Sequence, residues 1–364
     1  MMESQSNLDI NNMENTLRSI MQESSAYLII KNGSCDFELS NIPNGVNVLQ
    51  ESGGKGSFAN ILANEFKFVE KYDQNNSLLI ECDSSLSLIK PLYIIFLNEK
   101  PVDPQKSYNN FYLIREGAQV TIIEKQMGDL KTTKKQDLNI FSNWFLENNA
   151  TLTYYSHESN NKRPNWSINN NIMIRQMGNS SSSFFWFYWE DGVTNNDIEV
   201  SLDGEFAACN LYSASLLLNS TIVNHNIRMN HNSANCESNQ VYKGVFNDNS
   251  SSRFNSLVYV NKHAQKTSST QQNNNIILSD YASVKSNPQL EIFADDVKCA
   301  HGSTIGQIDP KALFYLQSRG IGKELGTAML LRGFLSDVVD EIVDLKLKDL
   351  VLNKFYKLLN KSST

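Results

Sequence analysis

Between residues 78 and 305 the chain repeats one pattern: a short run of apolar or alternating apolar and polar residues, then a polar turn rich in Asn, Ser, Gly or Asp. The runs fall at 78–80, 92–97, 111–114, 120–123, 152–155, 184–189, 211–218, 257–260 and 276–278. Their length and period predict strands, and no stretch in this region carries the stripe of a long helix. A second regularity lies over the first, in which a turn, a small residue and a polar-apolar alternation return together. It is seen at Gly117-Ala118-Gln119-Val120, Asn149-Ala150-Thr151-Leu152, Ser181-Ser182-Ser183-Phe184, Phe206-Ala207-Ala208-Cys209, Ser233-Ala234-Asn235-Cys236, His263-Ala264-Gln265-Lys266 and Tyr281-Ala282-Ser283-Val284. A return every roughly 18 to 32 residues is the range of solenoid architectures. Stacked corners bring successive backbones too close for large side chains, so a small residue at each corner, with Asn able to ladder beside it, predicts a β-helix. A β-sandwich also has many short strands, but its turn signals come more densely, about every 8 to 12 residues.

The flanks differ. Leu8, Met13, Leu17, Ile20 and Met21 recur at helical intervals within residues 1–25, which predicts a short amphipathic helix. Residues 26–57 read as strand and turn, broken at Asn32-Gly33 and Asn44-Gly45, and 58–72 as helix. Beyond Gly306 the period changes to that of helices. Asp309-Pro310 supplies an N-cap and a Pro at the first helical position, and Arg319-Gly320 ends that helix. Leu325, Met329, Leu330, Phe334, Val338 and Ile342 mark the apolar stripe of a second helix, suited to docking, and residues 345–359 form a third with lysines on its polar face. The expected organisation is a mixed helical region over 1–77, a β-helix core over 78–308 and a helical domain over 309–364.

Composition narrows the function classes. The 364 residues are 40% hydrophobic and 20% charged, with net charge −7, and the basic residues are scattered. That balance disfavours nucleic acid and anionic membranes as main partners. No apolar run reaches the roughly 18 residues of a membrane span, and no basic segment followed by an apolar one opens the chain, so a cytoplasmic protein is expected. Five dispersed cysteines do not form a disulfide framework. No phosphate-binding loop is present, since Gly53-Gly54-Lys55-Gly56-Ser57 lacks the spacing and the preceding strand. Nucleophile elbows, zinc-binding helices and paired Cys motifs are missing as well.

The densest candidate chemistry lies in SNPQLEIFADDVKCAHGSTIG, residues 286–306. On an extended segment Cys299 and His301 share a face with Cα atoms roughly 6.5 Å apart, a workable separation for a thiolate and an imidazole on one metal ion. Two ligands are half of a closed site, and the rest must come from elsewhere or from another chain. On residue chemistry alone, a buried structural Cys and a hydrogen-bonded structural His is the better reading. Asp295 and Asp296 point to opposite faces of a strand and cannot flank one bond, which assigns them to a turn. His225, His231 and Cys236 follow no metal-ligand spacing, and the aromatic run 184–189 reads as a buried core strand.

Four motifs in order, VYKGVF (241–246), HAQKTSSTQQNNNIILS (263–279), PQLEIFADDVKCAHGSTIGQID (288–309) and ALFYLQSRGI (312–321), resemble the SufD scaffold subunits of the SUF iron–sulfur cluster assembly system. The match is dense over 224–344 and weakens upstream. PLYIIFLN near Pro91 is still SufD-like, whereas the family's Trp-Lys-Tyr-Thr type N-terminal segment is absent and the chain looks shortened there. The resemblance implies a right-handed parallel β-helix between helical terminal regions and a non-catalytic role. It implies two partners, a SufB-like paralogue paired through the β-helix and a SufC-like ATPase docked on the C-terminal helices, with a homodimer where SufB is absent. It places the family's interface Cys and His on Cys299 and His301. It further implies no stably bound cofactor in the chain alone, only transient iron or an iron–sulfur cluster shared with the partner. SufB itself is a poorer match, because the ADDVKCAHG wording follows SufD. The competing reading from another class is a β-helix polysaccharide lyase, which needs converging Arg or Lys bases and acidic calcium ligands. A third is a solenoid that only mediates assembly, with Cys299 and His301 inert.

Overall fold

A computed structural model describes residues 21, 24–50, 58–69, 77–98, 107–128, 136–158, 165–189 and 192–361. The predicted helix over 1–25 and the Gly53–Ser57 turn lie outside the described residues apart from the edges of the former. Among the described residues the strands form a ten-stranded and a nine-stranded sheet, and from Ser77–Cys82 onward consecutive strands alternate between them. In the first sheet Ser181–Tyr188, Ala208–Leu217, Glu237–Phe246, Ser268–Ile277 and Lys298–Gly306 stack in parallel register. In the second, Trp166–Gln176, Val193–Leu202, Ile222–His231, Ser251–Val260 and Ser283–Ile292 do the same. Ala208 faces Glu237, Glu237 faces Ser268 and Ser268 faces Lys298, so one coil takes about 30 residues. Parallel pairing decides against the sandwich, whose hairpins run antiparallel. The fold is the expected parallel β-helix with helices mostly at the C-terminal end.

The corners explain the recurring small residues. Gly117, Asn149, Asn179, Phe206, Asn235 and Lys266 have left-handed backbones, with φ of 69, 60, 55, 62, 61 and 58°. Each is followed at once by a small buried residue: Ala118, Ala150, Ser180, Ala207, Cys236 and Thr267. Amide groups climb the column, with Asn149 N–H donating to Gly178 O at 2.9 Å, Asn179 to Glu205 at 2.9 Å and Asn235 to Gln265 at 2.9 Å. Three tetrads in the sequence pattern are therefore displaced from this column. The corner small residues are Ser180, Cys236 and Thr267 rather than Ser182, Ala234 and Ala264, while Ala282 occupies the opposite corner. Asparagines ladder along the other sheet instead: Asn169 donates to Asn139 at 3.0 Å, Asn195 to Asn169 at 2.9 Å and Asn224 to Asn195 at 2.9 Å.

Close stacking makes one corner glycine sensitive. A Cβ on Gly204 would lie 2.0 Å from Gly178 N and 2.5 Å from Gly178 Cα, both backbone atoms of the coil beneath. Gly204→Ala is therefore expected to lower the unfolding free energy by about 1–3 kcal/mol. Gly306→Ala, where a Cβ meets nothing within 4 Å, should stay within about 0.5 kcal/mol of the parent. Paired urea titrations separate the two, and equal midpoints would refute the packing argument.

The aromatic run is buried on both faces. Phe184, Trp186 and Tyr188 point into the lumen, and Phe185, Phe187 and Trp189 point out. The outer set is covered by α3 (Lys323–Val339) and α4 (Leu345–Lys361), while α2 (Pro310–Ser318) packs on α3, the helices being numbered after α1 (Phe58–Glu65). Trp189 meets Phe355 of α4 edge-on at 5.8 Å, and Val343 N–H donates to Tyr155 Oη at 3.2 Å. Lys243, almost fully buried on the sheet, pairs with Asp337 of α3 at 2.6 Å and lies 4.7 Å from the Phe334 ring. Asp309 caps α2 through Lys311 N–H at 2.9 Å, with Pro310 in the first turn. The expected stripe of α3 divides. Val338 and Ile342 are buried with Ala328, Leu331 and Leu335, whereas Leu325 and Met329 are exposed.

At the other end, Tyr27–Lys31 pairs in parallel with Leu92–Asn98, and Val46–Gln50 pairs antiparallel with Ser77–Cys82. Helix α1 is shorter than the predicted 58–72 and leads into Phe66, whose ring contacts Phe111 edge-on at 5.1 Å.

Candidate functional site at the open end of the solenoid

The last two strands, Ser283–Ile292 and Lys298–Gly306, each form the edge of a sheet. Cys299 stands opposite Ser269 and His301 opposite Gln271 in the adjoining strand. Ser269 and Gln271 are each 1% exposed, so that register points into the lumen. Cys299 and His301 occupy the same lumen-facing columns on a coil that no further described coil covers, and this alone leaves His301 exposed. Cys299 is half-buried against the apolar core. Burial raises its thiol above the usual range, and the Ser269 amide pulls it partly back. The period-2 expectation that both side chains share a face is met by the ladder.

Asp295 and Asp296 lie exposed at the corner before the strand, as a turn reading requires, and Asp296 O accepts from Lys266 N–H at 2.6 Å. Ser303 Oγ donates to Ser286 Oγ at 2.7 Å, joining the two edge strands. Around them Tyr281, Ile292, Phe293 and Ile305 are exposed apolar side chains.

Cys82, Cys209, Cys236, His225 and His231 are internal, whereas Cys35 is partly buried and His263 exposed. Cys82 and Cys209 have thiols pushed up to about 12 by burial, which makes them poor nucleophiles and ligands at neutral pH. Cys236 is a corner residue whose thiol donates to Gly204 O at 3.2 Å. His225 lies among Tyr188, Tyr242 and Phe254, with its Nδ1 3.4 Å from Asn196 Nδ2. His231 is bonded to Ser238 at 2.8 Å. These three do not converge, and among the described residues no three His, Cys, Asp or Glu side chains are placed to hold a metal ion. A groove of about 330 Å³ runs beside the Asn ladder, where its amides are bonded to one another. No helix among the described residues is long and apolar enough to cross a membrane.

Sequence spacing missed the residues beneath the pair. Ser238, Ser269 and Gln271 sit in an unremarkable polar run, and their place under Cys299 and His301 follows only from a register about 30 residues long. Polar residues at lumen-facing positions of alternating strands were the available signal.

Fold and site together define a parallel β-solenoid whose last described coil carries a lumen-facing Cys299 and His301 on an edge strand. Residues 103–334 match the family described as SUF system FeS cluster assembly, SufBD core domain, and the chain belongs to that family. Similar proteins include the iron–sulfur cluster assembly protein SufD of Escherichia coli K12, 28% identical over 72% of this chain and 62% of that protein. SufD of Bacillus subtilis is 25% identical over 74% and 61%, and the chloroplastic protein ABCI7 of Arabidopsis thaliana is 24% identical over 88% and 70%. The chain thus spans about three fifths of the length of the two bacterial relatives.

Proposed function

We propose that this chain is a non-catalytic, SufD-like scaffold subunit in cytoplasmic iron–sulfur cluster assembly. Its open solenoid end pairs with a SufB-like paralogue, and its C-terminal helices receive a SufC-like ATPase. The observation that carries the reading is the lumen-facing Cys299–His301 pair on one of two edge strands at the same end of the solenoid. A second solenoid end placed there extends both sheets, covers Phe293 and Ile305, and supplies the ligands that a two-donor site lacks. Transient iron or a cluster is then cargo held between subunits, with no cofactor kept by the chain alone. Exposed Leu325 and Met329 on α3, with Phe314 and Tyr315 on α2, form the surface assigned to the ATPase. Energy then enters through the partner, in keeping with the lack of a nucleotide-binding loop in the sequence. Where the paralogue is absent, the same edges pair two copies of this chain. Nucleic acid and membrane have no part in the reading.

The test is co-expression of the tagged chain with its host's SufB-like and SufC-like proteins, followed by native mass spectrometry. A complex with both partners is expected. Phe293→Asp with Ile305→Asp should remove the paralogue, and Leu325→Asp with Met329→Asp should remove the ATPase alone. His301→Ala should leave the complex assembled and lower its iron and sulfide content. Recovery of the chain alone beside well-expressed partners overturns the assignment, and unchanged cluster content in His301→Ala makes the pair inert.

A further inference from the structure

The outward face of the ten-stranded sheet carries two apolar patches, and the described helices cover one. Phe185, Phe187 and Trp189 lie under α3 and α4. The other patch sits toward the N-terminal end on three neighbouring strands, Tyr27–Lys31, Leu92–Asn98 and Gln119–Gly128, where Ile29 stands opposite Ile95 and Leu97 opposite Met127. These side chains alternate with Leu28, Ile30, Ile94 and Ile122, which fill the lumen, so they point outward. They are nonetheless 4% exposed or less. The other residues of the cluster, Tyr27 and Tyr93, belong to the same strands. A sheet face cannot bury itself, because its side chains stand upright and need a second layer above them.

Lys125 reports the same layer independently. It stands outward between Ile123 and Met127, opposite Ile95, and has no ion partner among the described residues. Burial alone lowers its amine to about 8, as an apolar cover does and water does not. The cover must come from the rest of the chain. Residues 22–23, 51–57, 70–76, 99–106, 129–135, 159–164, 190–191 and 362–364 hold just Tyr72, Val102 and Leu130 as apolar side chains. By contrast Ile10, Met13, Leu17, Ile20 and Met21 recur at the intervals of one helix face. A helix over 10–21 is about 17 Å long, and the patch, three strands wide and five residues long, measures about 10 by 13 Å. The stretch also ends in the right place. Met21 is helical and half-buried, and the chain then runs through buried Ser24 and Ala26 into Tyr27–Lys31, the first strand of the patch.

We propose that residues 10–21 dock as an amphipathic helix on the Ile29–Ile95–Met127 patch, so that the helical layer over this sheet is built from both ends of the chain. Ile123 belongs to the cluster under α3 and α4 and lies two residues from Lys125, so the two covers meet over one strand. The N-terminal segment is then part of the solenoid's outer wall, and this patch is closed to partners.

The test uses the full chain. With p-benzoylphenylalanine in place of Leu17, irradiation and peptide mapping are expected to show adducts on residues 27–31, 92–98 or 119–128. Adducts confined to other parts of the chain overturn the docking. In a second measurement Leu97→Cys places a thiol under the cover, and its alkylation by N-ethylmaleimide is followed by mass spectrometry of that peptide. Adding Leu17→Asp with Ile20→Asp should speed the alkylation roughly tenfold or more, whereas Ser19→Asp, on the opposite face of the helix, should leave it unchanged. Circular dichroism confirms that the solenoid is kept in the double aspartate variant. A folded variant of this kind whose introduced thiol stays protected overturns the proposal, and the cross-link decides the matter where the variant does not fold.

Discussion

Acidification from pH 6.5 to 5 is expected to destabilise this protein by several kcal/mol, through two histidines enclosed in its lumen. Burial lowers the pKa of His225 to about 3 and that of His231 to about 4, whereas each takes up a proton near 6.5 in the unfolded chain. Keeping both neutral stabilises the fold fully above pH 6.5, and this contribution is lost as pH falls toward 4 and then 3. Over the window from 6.5 to 5 the loss is about 2 kcal/mol for each histidine. Glu124, fully enclosed and bonded to Tyr154 at 2.9 Å, has a carboxyl raised by burial and works in the opposite sense, one proton against two. Urea unfolding at the two pH values measures the difference. The double variant His225→Phe, His231→Gln should lose most of the pH slope, because Phe suits the aromatic surroundings of the first and Gln retains a donor to Ser238 at the second. A double variant with the parent's slope would show that other groups carry it.

Trp144→Ala is expected to cost about 3–5 kcal/mol. The indole is 1% exposed and stacks on Tyr112 at 3.7 Å and 6°, with Tyr154 and Phe184 edge-on at 4.9 and 5.4 Å. Its removal opens a cavity that neighbours pinned in the ladders cannot fill, and it also forfeits aromatic contacts of about 0.5–1.5 kcal/mol each. Trp144→Phe keeps most of the volume and should cost less than half as much. Denaturant titration followed by far-ultraviolet circular dichroism reads both, since it does not depend on the deleted fluorophore. A loss below about 1 kcal/mol for Trp144→Ala would mean that the lumen relaxes around the gap.

The strands that sequence reading found were those apolar on both faces. The run 184–189 stood out because the lumen buries one half and α3 with α4 the other. Strands such as Val193–Leu202 and Ile222–His231 were harder to see, because their outward positions carry Asn, Asp, Glu and Arg in place of a second apolar face. The stripe of α3 was legible as a helix suited to docking, but not which of its residues dock. Leu325 and Met329 have the right spacing to join it, and only docking on Lys243 and the outer aromatics turns them to solvent. Likewise Cys299 and His301 were visible as a pair, and the serine and glutamine beneath them were not.

Local chemistry determined what lies within one coil. Alternation has a period of two wherever the backbone is extended, so Cys299 and His301 had to share a face. Asp309 before Pro310 had to start a helix, and a left-handed corner had to be followed by something small. Tertiary structure decided what lies above what. The register that sets Ser269 under Cys299, Gln271 under His301 and Cys236 rather than Ala234 in the corner column is fixed by amides reaching residues about 30 positions away. No local preference encodes that distance, because coils of unequal length satisfy the same alternation, and only the packed lumen selects which of them align.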